Sequence, residues 1–152
     1  MTRPGFRKRQ LSVFVLALLA TSTTLYAQRE FRELLSAERE WVELPDDWHE
    51  PGEFVVGRLM YPPSPGCGVG GGDWTQGGTS WSVDYPRGDR TFVRLLERLT
   101  VIDVRSVEQP VNLDDPVDAF YWPFMISGLV GAWDLTDGQA AKLREYLLRG
   151  GF

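Results

Sequence analysis

The sequence predicts an α/β fold built on a mostly parallel sheet, and three observations predict it. Two short, nearly continuous apolar runs, 54–61 and 121–128, have the character of strands buried on both faces. Two stretches with helical apolar spacing, about 90–100 and 136–150, alternate with them. The second ends in Gly150-Gly151 followed by Phe152, the pattern by which a surface helix turns back into a sheet.

The elements follow in order. Of 152 residues, 43% are hydrophobic and 24% charged, which suits one globular domain. Arg3, Arg7, Lys8 and Arg9 form a basic start, and Leu11 to Ala20 is apolar apart from Ser12. Residues 21–27 are mostly small and polar, so 1–27 reads as a secretory signal peptide cleaved after Ala27. The apolar run is shorter than the roughly 20 residues of a spanning helix. Leu25 is large for its place before the cut, which keeps an uncleaved signal-anchor as the alternative and the only expected link to a membrane. The expected location is therefore periplasmic or extracellular.

Without residues 1–27, twelve cations face 21 acids, a net charge of about −9. Such a chain lacks the basic footprint of a nucleic-acid binder. The single Cys67 rules out an internal disulfide, so stability has to come from burial.

Arg29 to Val42 carries Phe31, Leu34, Leu35, Trp41 and Val42 near helical spacing and predicts an amphipathic leader helix. An acidic linker, 43–52, follows, and the compact domain is expected to begin at Glu53. Phe54 to Tyr61 is the first strand, stopped by Pro62-Pro63. The next stretch, 62–88, is a glycine-rich loop far longer than usual, of the kind that binds ligands or forms lids. Asp89 is expected to cap the first domain helix, with Phe92, Val93, Leu95, Leu96 and Leu99 on its apolar face and Arg90, Arg94, Glu97 and Arg98 opposite. Val101 to Val107 reads as the second strand, with Val111 to Leu113 extending it or standing as a separate piece, and Tyr121 to Gly128 as a central third. Thr136 and Gln139 form a capping box that opens the last helix.

Several landmarks recur together: Arg58-Leu59-Met60-Tyr61-Pro62, Gly72-Asp73-Trp74, Val111-Asn112-Leu113-Asp114-Asp115, Tyr121-Trp122-Pro123-Phe124, and Leu143 through Phe152. In order and spacing, over about residues 53–152, they resemble an uncharacterised bacterial family, the domain of unknown function 4159. The resemblance implies a flavodoxin-like three-layer sandwich similar to class I glutamine amidotransferases, and no established activity. It also implies that this chain is the N-terminal part of the domain. The sheet is then expected to be incomplete at the C-terminus, with any nucleophile-bearing turn beyond Phe152.

The chemistry-bearing residues are sparse. Cys67 and the only histidine, His49, form the obvious thiol–imidazole pair, but both sit in loop or linker sequence without the rigid support a nucleophile needs. One Cys and one His also fall short of a zinc set. Gly66, Gly68 and Gly71 have dinucleotide-fingerprint spacing without the strand before and helix after. Asp114, Asp115 and Asp118 have the spacing of a hard-cation site, yet Pro116 among them makes a turn the simpler reading. No catalytic residue, metal or cofactor is assigned.

One set remains. Asp73, Trp74, Trp81, Asp84, Tyr85 and Arg87 after the first strand, and Trp133 and Asp134 after the third, combine aromatic faces with polar groups at strand ends that a parallel sheet brings to one edge. They form the candidate ligand site for a small polar molecule or a protein partner, with Trp122 assigned to the core. The competing reading is that these aromatics pack the long loop onto the body. The expected function is a non-catalytic binding or interaction module; the alternative is part of a hydrolase or glutamine-amidotransferase-like enzyme.

Overall fold

β1 (Gly57–Met60) is the middle strand of a three-stranded sheet in a computed structural model that describes residues 29–152. It pairs parallel with β2 (Gln109–Asn112) on one side and with β3 (Met125–Ile126) on the other, giving the order β2-β1-β3. Two helices complete the frame, α1 (Arg87–Leu99) and α2 (Asp137–Leu148). The expected α/β class and parallel sheet are present, and a central first strand in the order 2-1-3 is consistent with a flavodoxin-like arrangement. The signal-peptide reading of residues 1–27 lies outside the described residues.

Alternation along the central run assigns each helix to a face. Val55 and Leu59 share a cluster with Val111, Leu113, Trp122 and Tyr146 of α2, while Val56 packs with Val104 and with Val93 of α1. Helices therefore cover both sides of the sheet, as a period-2 strand with apolar residues at both parities requires. Each fully buried Val or Leu contributes about 1.5–3 kcal/mol. Gly57 sits where a Cβ would meet the side chains of Met125 and Val111 and the Phe124 carbonyl, so glycine lets the outer strands close on β1.

Both helices form where their local signals place them. In α2 the capping box is complete: the Gln139 N–H donates to Thr136 Oγ1 at 3.2 Å and the Thr136 N–H to Gln139 Oε1 at 3.0 Å. Gly150 ends it at φ +93°. At the start of α1 the expectation fails in detail. Pro86 occupies the N-cap position without a side-chain cap, and Asp89 is buried in the first turn.

Three other expectations are corrected. No leader helix forms over 29–42: Leu35 makes a parallel bridge to Gly77, and the Ala37 N–H donates to the Ser82 carbonyl at 2.9 Å. A short helix is marginal on its own, and these tertiary hydrogen bonds hold the segment extended. Gly77, at φ +88°, makes the approach feasible, since a Cβ there would overlap the Leu35 backbone. Phe31 to Phe152 consequently forms one compact unit.

The second strand lies at Gln109–Asn112, overlapping the separate piece expected at Val111–Leu113, and not at Val101–Val107, where Val101 and Ile102 are exposed and only Val104 forms a bridge, with Phe54. Pro110 is tolerated because the Gln109 N–H donates to the Val56 carbonyl, so the N–H that proline lacks would point away from β1. The third strand shrinks to Met125–Ile126 and is half-buried. Asp118–Tyr121 is a 3-10 turn that sends Trp122 into the core at 2% exposure. Beside β3, the Phe152 N–H donates to the Pro123 carbonyl at 3.0 Å and its own carbonyl accepts from Met125 N–H at 2.8 Å. Phe152 thus enters the ladder as the helix-to-sheet pattern anticipates.

Candidate functional site

The aromatics of the long loop form a core of their own at the carboxyl end of β1. Trp81 is 0% and Tyr85 2% exposed; they cluster with Met60 and Tyr61, and Trp74 and Trp133 pack at the border. Trp81 and Tyr85 meet edge to face with centroids 5.4 Å apart, and the Trp81 Nε1–H donates to the Trp74 carbonyl at 2.7 Å. Tyr61 meets Trp133 at 5.6 Å. These ring faces are engaged with one another. Burial, reinforced by the nearby Glu108 carboxylate, pushes the Tyr85 phenol well above its ordinary pKa.

The loops after β1 and β3 do come to one edge, as expected of a parallel sheet. There the backbone fills the space between them: Pro63 bridges Trp133, Ser64 N–H donates to Ala132 at 2.8 Å, and Asp134 N–H donates to Pro62 at 3.0 Å. The Tyr61 hydroxyl closes the gap by donating to the Gly128 carbonyl at 2.9 Å. The Asp134 side chain is left on the surface. Asp73, also exposed, caps the 3-10 turn Trp74–Gln76, its Oδ1 accepting from the Thr75 hydroxyl at 2.7 Å and amide at 2.9 Å. Those two donors lower its pKa.

Asp84, Tyr85 and Arg87 do converge. They line a cleft of about 500 Å³ with Ser36, Glu40 and Thr91, between the extended N-terminal segment and the first turns of α1. Arg87 reaches across it to Glu40, Nη2 to Oε2 at 2.8 Å, with both side chains largely exposed. Asp84 takes a left-handed backbone conformation at φ 60°, and its carbonyl accepts from the Gly88 N–H at 2.7 Å at the head of the helix. The cleft wall therefore offers carboxylates, hydroxyls and one guanidinium on fixed backbone.

Beneath it lies a buried ionic cluster that the sequence did not reveal. Arg58 on β1 pairs with Asp89 on α1 at 3.2 Å and donates to the carbonyls of Trp81 at 2.9 Å and Val83 at 2.7 Å. Arg90 grips Glu108 at 3.1 and 3.4 Å, and Arg105 donates to the Val107 and Glu108 carbonyls and to Gln109 Oε1. Burial raises Asp89 to about 6 against the opposing pull of Arg58, with Glu108 adding to the rise. Arg105 is lowered to about 10 by burial, with Glu108 opposing. Arg90 is thus buried at 3%, not on the polar helix face where spacing placed it, whereas Leu95 and Leu99 are exposed. The one visible signal was a charged Arg58 inside an apolar strand.

The remaining motifs take structural roles. Cys67 is exposed in a turn closed by its N–H onto the Ser64 carbonyl, and His49 is exposed, edge-on to Trp48. Gly66, Gly68 and Gly71 lie in exposed loop. Asp118 accepts from Arg32, from the Asn112 N–H and from Trp122 Nε1; Asp115 accepts from the Val117 and Asp118 N–H groups; Asp114 accepts from Gln139. All three aspartates are engaged in turn and cap bonds.

No characterised protein and no solved structure matches this chain. A family model described as a domain of unknown function, DUF4159, matches residues 73–152, from the Asp73 turn through α1, β2, β3 and α2 to Phe152. That match covers more than half of the sequence, and the chain belongs to the DUF4159 family.

Proposed function

We propose that this protein is an exported, non-catalytic binding module whose ligand is a small polar molecule held in the cleft at the head of α1. The observation that carries the reading is the convergence of Asp84 and Arg87 with Ser36 and Glu40, residues from two distant segments, around one cleft of about 500 Å³. Its polar groups stand on backbone fixed by the Leu35–Gly77 bridge and by the buried Arg90–Glu108 pair, the preorganisation that makes hydrogen bonding selective. Tyr85 supports the floor of the cleft instead of stacking on the ligand, since it is buried. Support for export comes from the basic start, apolar run and Ala27 of the first 27 residues.

Titration with a panel of neutral sugars and amino acids, followed by backbone amide shifts, tests the site. The expected result is saturable shifts at Gly88 and Thr91 that Asp84→Ala and Arg87→Ala abolish. Shifts confined to Asp134 and Trp133, or none across the panel, would contradict it. Sequencing the amino terminus of the processed protein tests export, with a start at Gln28 expected.

A further inference from the structure

A second cleft, of about 530 Å³, is bordered by Trp41 and Trp48 together with Glu33, Glu43 and Asp46. Both indoles are open to solvent, Trp41 at 68% and Trp48 at 39% exposure. Trp41, largely uncovered, and Trp48, covered in part by Phe31 and His49, forgo burial that the fold gives to Trp81 and Trp122.

The stretch that carries them is fixed from below. Arg90 donates to the carbonyls of Val42 at 3.3 Å and Glu43 at 2.9 Å, directly after Trp41. The Trp48 N–H closes a turn onto the Pro45 carbonyl at 3.1 Å, and its ring packs against Phe31 with centroids 6.0 Å apart. Both rings thus stand on anchored backbone.

The charged side chains that line this cleft are all acidic, with Arg94 lining the adjoining cleft that shares Glu43 and Asp46. Among the described residues, the carboxylates of Glu33, Glu43 and Asp46 have no hydrogen-bond or ion-pair partner, and no lysine or arginine lines the cleft. Indole faces attract cations through their quadrupole, and the attraction is greatest for weakly hydrated organic ammonium groups. An anion would be repelled by the three carboxylates, and a strongly hydrated metal ion would gain little from the rings.

We propose that this cleft binds a small organic ammonium ion, quaternary or N-methylated, with its methyl groups against Trp41 and Trp48 and its charge facing the three carboxylates. The site adjoins the Asp84–Arg87 cleft, with which it shares Val42, but none of its aromatic or charged groups belongs to that cleft.

The test is calorimetric titration of the full chain with choline and with its neutral isostere, dimethylbutanol, in which carbon replaces the nitrogen. Choline is expected to bind saturably, at least about fivefold more tightly than the alcohol, with affinity falling as salt rises. Trp41→Ala should weaken choline about fivefold or more without moving the unfolding midpoint by more than about 3 degrees, and Trp48→Ala should weaken it similarly. Leu99→Ala, at an exposed position that lines neither cleft, should leave choline binding unchanged. Equal affinity for the alcohol, no saturable choline binding, or choline binding indifferent to Trp41→Ala would overturn the proposal.

Discussion

Two aromatic regions of this molecule meet opposite fates. In the loop after β1, Trp81 loses all exposure and its Nε1–H finds the Trp74 carbonyl; in the N-terminal segment, Trp41 and Trp48 remain 68% and 39% exposed beside carboxylates that have no ion-pair partner among the described residues. The residue type is the same and the surroundings differ. Trp81 is enclosed because a long loop must build a small core to hold itself on the sheet, and a buried indole with its donor satisfied does so at low polar cost. Trp41 is followed by backbone that Arg90 anchors, yet its side chain stays 68% exposed. Loop aromatics near strand ends, the most ligand-like feature of the sequence, turn out here to be the loop's own packing.

The same contrast divides the charges. Arg58–Asp89 and Arg90–Glu108 are buried, while Arg87–Glu40 spans the cleft with 68% and 55% of its side chains exposed. A buried pair that loses one member leaves an uncompensated charge, whereas an exposed pair is screened by water.

The largest expected effects come from breaking the enclosed side of each contrast. Trp81→Ala should cost about 3–5 kcal/mol in denaturant unfolding, against about 0.5 kcal/mol or less for Trp41→Ala. Similar losses for the two variants would end the distinction. Arg58→Met should cost a comparable 3–5 kcal/mol near neutral pH by stranding Asp89, and Arg87→Ala less than about 1 kcal/mol. Asp89→Leu added to Arg58→Met should recover a good part of the loss.

A smaller effect is expected in pH dependence. Asp89 is held at about 6 in the folded chain against an ordinary 3.8, so the folded state binds its proton more tightly than the unfolded state does. Its contribution is therefore fully present below about pH 4 and is lost as pH rises through 6, about 3 kcal/mol in all. Asp89→Asn should flatten the unfolding profile between those limits, and an unchanged slope would remove Asp89 from the account. Smaller again, Gly77→Ala should cost about 1–3 kcal/mol, because its φ of +88° disfavours a side chain and a Cβ would strike the Leu35 backbone.

What could be read from the sequence was mostly local. The α2 capping box, the helical spacing of α1 and the Gly150 stop are local signals, and the structure contains the box, the stop and the α1 helix, although that helix exposes Leu95 and Leu99 and buries Arg90. Strand placement depends on partners far along the chain. Val101 to Val107 has the better β composition, yet Gln109–Asn112, proline included, pairs with β1, because the residues between α1 and β2 supply Val104 and Arg105 to the body. The extended segment at Leu35 was hidden for the same reason, since its hydrogen bonds go to Gln76, Gly78 and Ser82. Half of the Asp84–Arg87 cleft was therefore legible as polar residues near a helix start. Ser36 and Glu40, which close it, belong to a segment whose spacing imitates a helix.

Hydrogen exchange at the indole N–H groups tests the contrast most directly. The account predicts that Trp81 Nε1–H exchanges only through global unfolding, while those of Trp41 and Trp48 exchange within a few orders of magnitude of a free indole. Exchange at Trp81 as fast as at Trp41, in a chain that otherwise stays folded, would contradict it.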